Sequence, residues 1–189
     1  PNDSYLKMRT VALDKYGRVW AGSSDGILVM SYYNNKVKIH VVADNEDELD
    51  NLQSKDVVCL ACAHNGQMWV GTNGGGLSRC DDYGQGVYVF DTFGSEDGLP
   101  SEEIKSITFD ERGNVWFATD HILCSFDVRK QIFSTFTMLD GVDDTLCSED
   151  AAITLPNGKI LFGTLNGYYI VDRSKLVSAN GSVMRLRIT

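Results

Sequence analysis

Cys59 and Cys62 stand three residues apart, and His64 follows two residues on, in the run "VVCLACAHNG". Thiolates and an imidazole at close spacing are the groups that hold zinc or exchange disulfides, so this run is the first candidate for chemistry. A strand register argues against both uses. Three residues along a strand separate Cα atoms by about 10 Å, past the roughly 7 Å reach of a disulfide, and odd spacing sends the side chains to opposite faces. No second ligand pair follows to complete a tetrahedral site. No metal is expected, and Cys59, Cys62 and Cys80 read as buried free thiols.

The second candidate is the glycine-rich run "GQMWVGTNGGG", residues 66–76. A phosphate cradle needs a helix whose N-terminus faces the anion, and no helical pattern follows. Gly74, Gly75 and Gly76 instead read as a turn needing positive φ. His40, His64 and His121 have no spaced arrangement with serine or acid that would build a nucleophile. Asp14 and Asp110, each three residues before a turn glycine, read as turn caps. No catalytic residue and no cofactor are therefore expected.

These residues recur in register. "GQMWVGT" at Gly66 returns as "GRVWAGS" at Gly17, "GNVWFAT" at Gly113 and "GKILFGT" at Gly158, with leading glycines 49, 47 and 45 residues apart. Each copy is preceded by an apolar alternating stretch ("MRTVALD", "VVCLACA", "IKSITFD", "EDAAITL") and followed by a tight turn and a third stretch. A fourth follows in "VKIHVV", "VYVFDTF" and "IFSTFT". Four short antiparallel strands in about 47 residues, repeated without helical periodicity, predict an all-β fold of four four-stranded β-propeller blades. The blades are expected at about residues 1–43, 44–93, 94–137 and 138–189. Trp20, Trp69 and Trp116 share one slot that takes Leu161 in the fourth copy, so the slot reads as packing.

A formal charge of −9 with no basic run excludes nucleic acid and anionic membrane as partners. No stretch approaches the roughly 20 apolar residues of a membrane span.

The composite "GLPSEEIKSITFDERGNVWFAT", residues 98–119, resembles the two-component regulator propeller repeat, and "LQSKDVVCLACAHNGQMWVGTNGGGLSRCD" is similar to it over a whole blade. The resemblance implies a non-catalytic, periplasmic sensor segment of a Bacteroides-type hybrid two-component system that responds to carbohydrate. It also implies seven blades, where four are present, so the segment is expected to be part of a larger propeller or one completed by a second chain in a homodimer. The tail "GSVMRLRIT" suits either a following β-sandwich or the last outer strand. An assembly scaffold and a propeller lyase or glycosidase are the alternatives.

In antiparallel blades the turns between second and third strands share a rim with the inter-blade connectors. That rim collects Asp25, Asn73, Asp120, His121 and Asn166, with the acidic connectors 43–51, 94–103 and 140–150. Carboxylates and amides on a rigid scaffold suit the hydroxyls of an oligosaccharide, so these five are the predicted ligand-binding residues.

Overall fold

The computed structural model describes residues 7–42, 52–84, 86–136, 142 and 145–173. Four antiparallel sheets follow one another along the chain. Blade 1 consists of β1 (Met8–Leu13), β2 (Val19–Ser23), β3 (Gly26–Tyr33) and β4 (Lys36–Val42). Blade 2 holds β5 (Val57–Cys62), β6 (Met68–Thr72), β7 (Leu77–Gly84) and β8 (Val87–Phe93). Blade 3 holds β9 (Ser106–Phe109), β10 (Val115–Ala118), β11 (Leu123–Asp127) and β12 (Ile132–Phe136). Blade 4 shows β13 (Cys147–Thr154), β14 (Ile160–Thr164) and β15 (Gly167–Val171).

Each sheet is a meander of strands in chain order, and together they make four blades of a β-propeller. Blade 4 has three strands among the described residues. The segment in which a fourth would lie, and the tail that could supply it, fall outside them. A 3₁₀ turn at Ser95–Asp97 lies in the connector from blade 2 to blade 3.

The repeated register explains the repeated residues. Trp20 lies opposite Ala12 and Val29, Trp69 opposite Ala61 and Arg79, and Trp116 opposite Thr108 and Ser125. Each indole is 3% exposed or less and faces the next blade. Trp20 packs with Val57, Leu60 and Val70, Trp69 with Phe109 and Phe117, and Trp116 with Ile160 and Phe162. The apolar core therefore lies between blades, and an indole burying on the order of 150–250 Å² dominates each interface.

The glycine two residues after the tryptophan is a matter of clearance. A Cβ on Gly22 would lie 2.5 Å from Val57 Cγ1 of the next inner strand, and one on Gly71 would lie 2.6 Å from Ile104 Cγ2. The chain entering blades 2 and 3 thus rests on bare backbone at Val57 and Ile104. In the third copy Ala118 takes the position and is fully buried.

The triple glycine differs in part from expectation. Gly74 and Gly76 have φ of 82° and 73°, whereas Gly75 is not at positive φ. Gly75 is needed for space, because a Cβ there would meet the Ser54 backbone nitrogen at 2.6 Å.

The outer face of blade 1, the face turned away from blade 2, is uncovered. Val11, Leu13, Ile39 and Val41 alternate onto it along β1 and β4, and each is more than half exposed. At the axis β13 packs against β9 of blade 3 and reaches β5 of blade 2.

Candidate functional site

All five cysteines are free, and no cluster of His, Cys, Asp and Glu suited to a metal occurs among the described residues. Cys59 is fully buried, and desolvation pushes its pKa well up, with the charges of Asp150 and Glu149 adding to the effect. Cys80 and Cys124 are pushed up by burial in the same way. Cys62 differs, since it is only half-buried where a core position was expected.

The turns between second and third strands do meet the connectors. Asn73 donates its backbone N–H to Asp56 O at 2.8 Å and its amide to Asp56 Oδ2 at 3.0 Å. Gly74 and Gly76 donate to Glu102 O, Cys147 N to Asp120 O, and Leu165 N to Leu146 O. The rim anticipated from topology is therefore present, with Asp25 and Asn166 exposed in the turns of blades 1 and 4 and His121 exposed in that of blade 3.

Two of its carboxylates are paired locally. Arg9 pairs with Asp56 at 2.6 Å, and Lys105 with Asp120 at 3.2 Å. Asn73 and Asp120 are thus engaged in holding connectors. Near the axis, β13 bulges between Cys147 and Ala152 and places Asp150 at φ 51°, its N–H donating to Lys105 O. Burial raises the pKa of Asp150, although a hydrogen bond with Thr10 of blade 1 acts in the opposite direction. This carboxyl reaches across the axis and was not singled out by sequence. Only the bulge, which the one-dimensional pattern does not show, brings it there.

A cavity of about 420 Å³ opens on the rim between the Gly74–Gly75 turn and the connector from Gly94 to Glu102. Its polar lining comes from Gln53, Thr92, Ser95, Glu96, Asp97 and Glu102. Glu102 Oε1 accepts from the Ser95 hydroxyl at 3.0 Å, which shapes the wall. None of the five predicted side chains lines this cavity; they are spread one or two to a blade. The connector 94–103 was legible as acidic surface, but Gln53 and Thr92 join it only through the folded blade. Connector 43–51 and most of 140–144 lie outside the described residues.

At the opposite end of the blades, Asp14 and Asp110 do more than cap turns. Asp14 accepts the backbone N–H groups of Tyr16 and Arg18 at 2.9 Å, the Trp20 indole N–H at 2.9 Å and Arg18 Nε at 2.5 Å. Burial by itself would raise the Asp14 pKa, but the bonds from Trp20, Arg18 and Tyr16 outweigh it and hold the carboxyl below its ordinary range. Asp110 accepts the backbone N–H groups of Arg112 and Asn114 and the Trp116 indole N–H, and Arg173 from blade 4 lies 3.2 Å from its Oδ2. A carboxylate clamped to an indole joins each of these blades to its tryptophan.

Comparison with known proteins accounts for the repeat. Residues 51–74 and 98–121 match the two component regulator propeller family. These two stretches, in blade 2 and at the entry to blade 3, are similar to the two-component regulator propeller repeat. Both matched segments run from the end of a connector, along an inner strand, to the turn after the W-x-G-T or W-x-A-T motif, so the family signature coincides with the indole slot and the rim contacts. No curated protein sequence matches the chain.

Among solved structures, the extracellular domain of a hybrid two component system from B. thetaiotaomicron superposes with a TM-score of 0.75 at 22% identity, covering 95% of this chain and 24% of that one. Virginiamycin B lyase from Staphylococcus aureus superposes with a TM-score of 0.66 at 13% identity, covering 98% and 56%. A Bacteroides caccae protein of unknown function gives 0.59 at 11%, covering 100% and 63%. At these identities the likeness is one of fold. The chain spans about a quarter of the length of the first of these structures. No helix among the described residues is long and apolar enough to cross a membrane.

Proposed function

We propose that this chain is a non-catalytic, ligand-binding segment of the extracytoplasmic sensor of a bacterial hybrid two-component protein, and that its ligand is an oligosaccharide. The observation that carries the reading is the coincidence of two regulator-propeller repeat matches with consecutive blades. The rim cavity supports it physically. Carboxylate, amide and hydroxyl groups around about 420 Å³ are acceptors and donors suited to sugar hydroxyls, and they sit on a connector held by backbone bonds. Binding there would shift how the connector seats between blades and so bias a kinase elsewhere in the parent chain.

A thermal-shift screen of the complete sensor region against plant and host oligosaccharides tests this, because a ligand that binds the native state raises its melting temperature by mass action. One glycan raising the melting temperature, with the shift reduced in Glu102→Gln, supports the reading. Consumption of the glycan in the same wells would turn it towards a propeller lyase or glycosidase. No shift with any glycan removes it.

The uncovered face of blade 1 favours a second role beside the first. Val11, Leu13, Ile39 and Val41 form an apolar sheet face of the kind that blades 2, 3 and 4 bury against their predecessors. We propose that another blade covers it, from the parent chain or from a second copy in a homodimer. Light scattering of this chain at tens of micromolar distinguishes these: a dimer supports the second copy, and a monomer assigns the face to the parent chain.

A further inference from the structure

The three blade interfaces differ at one corresponding place. Between blades 1 and 2 the corner is charged: Asp14 clamps the Trp20 indole, Arg18 joins it, and Arg18 also bonds Asp82 of blade 2. Between blades 3 and 4, Asp110 clamps Trp116 and Arg173 stands where Asp82 stands in the first corner. Between blades 2 and 3 the aligned residues are Ala63, Gln67 and Val128, while the tryptophan, Trp69, is retained. Acceptor, cation and counter-charge have been lost together.

The donor has not. Trp69 is 1% exposed, and among the described residues its indole N–H has no hydrogen-bond partner. Blade 4 is the instructive contrast: where the acid becomes Leu155, the tryptophan becomes Leu161, so no donor is left over. Trp69 borders the cavity at this corner, and its retention in blade 2, where the acid is absent, is informative.

Space has opened at the same corner. The cavity between blades 1 and 2 measures about 220 Å³ with Asp14 and Arg18 in its wall. Its counterpart between blades 2 and 3 measures about 410 Å³ and is lined by Ala63, Trp69, Gln67, Asn114, Arg112 and Arg129. Arg112 and Arg129 are exposed, and among the described residues neither guanidinium has an ion-pair partner. Glu111 also borders the cavity, and its Oε1 stands 2.9 Å from where a Cβ on Gly158 of blade 4 would be.

We propose that this cavity is a binding site for the carboxylate of a small ligand, which takes the place of the aspartate side chain missing at Ala63. Its oxygen accepts the Trp69 indole N–H, as Asp14 and Asp110 accept theirs, and the two guanidinium groups supply further donors, while the Gln67 and Asn114 amides already donate to Asp81 at 2.7 Å and Asp110 at 3.0 Å. Charge-assisted bonds of this kind are about twice as strong as neutral ones, and the bidentate geometry of arginine favours a carboxylate over a neutral hydroxyl. The site lies at the end of the blades opposite the rim and does not depend on the rim reading.

The test is titration of the ¹⁵N-labelled chain with sodium acetate, glucuronate and glucose, following the three indole N–H resonances, with Trp69 assigned by Trp69→Phe. Glucuronate and acetate are expected to move the Trp69 resonance while those of Trp20 and Trp116 stay fixed, and glucose is expected to move none. Movement by glucuronate alone would identify an acidic sugar as the source of the carboxylate. Ala63→Asp supplies the acid internally, so its Trp69 resonance should sit with the other two and its affinity for glucuronate should fall about tenfold or more. If Ala63→Asp fails to fold, loss of glucuronate binding in folded Trp69→Phe, read by calorimetry, serves in its place. An unmoved Trp69 resonance at millimolar carboxylate, or undiminished glucuronate binding by either variant, would overturn the proposal. These outcomes are read at an indole far from the rim glycan screen, so either idea can fail alone.

Discussion

Asp14→Ala is the sharpest perturbation of the indole clamp. Asp14 is 8% exposed and accepts four N–H groups: Tyr16 and Arg18 from the backbone, the Trp20 indole and Arg18 Nε. Truncation leaves all four without that oxygen. The two backbone donors lie in a turn beside an open cavity, where water replaces the carboxylate at little net cost. Arg18 keeps Asp82 as a partner. The indole is fully buried against blade 2 and loses its acceptor outright, and the charged bonds exceed neutral ones. Together these place the loss at about 3 kcal/mol, or roughly 6–12 °C in melting temperature for a chain of this size.

The pH dependence gives the same clamp a second readout. The folded pKa of Asp14 lies below its ordinary value of 3.8, so its stabilisation is fully present above that value and is lost as pH falls through the folded pKa. Urea melts of wild type and Asp14→Ala from neutral pH to pH 3 should therefore show a gap that is constant at first and then narrows in acid. Asp14→Asn, which keeps an acceptor but no charge, should fall between the two. A loss under about 1 kcal/mol at neutral pH, or a gap that stays constant into acid, would refute the account of the clamp.

Three further outcomes follow. Gly76→Ala should cost about 2 kcal/mol or more in urea melts, because φ is 73° there and the new Cβ would stand 2.4 Å from Phe93 O. With a disulfide reagent on the native chain, half-buried Cys62 should react before buried Cys59 and Cys124, whose thiolates burial disfavours; the buried thiols should react only on unfolding. Asp150→Asn should be more stable than wild type at neutral pH, by under about 1 kcal/mol. Since burial raises the folded pKa of Asp150, its destabilising effect grows as pH rises above 3.8, and the advantage should vanish in acid melts.

The blades were legible because their determinants are local and repeated. Tight turns need particular φ, strands alternate with period two, and a slot filled by Trp20, Trp69 and Trp116 and then by Leu161 declares itself as packing within a single chain. The rim was legible for the same reason, since antiparallel topology places alternate connections at one end. Register alone was enough to exclude a disulfide between Cys59 and Cys62.

What only the tertiary structure decided concerns contacts between blades. The glycine of W-x-G-T is required by the inner strand of the following blade, about 35 residues further along the chain at Val57 and Ile104, and no local pattern encodes that. The five rim residues proved to be separated, two of them engaged in holding connectors, while the rim cavity drew on Gln53 and Thr92 from different parts of blade 2. The aspartates read as turn caps turned out to clamp indoles, and the substitution at Ala63 acquired meaning only when Trp69 was seen to lack the partner that Trp20 and Trp116 possess. Hydrogen-bond satisfaction is a property of the packed interior, where a donor either meets an acceptor or does not, and that is settled by which blade faces which.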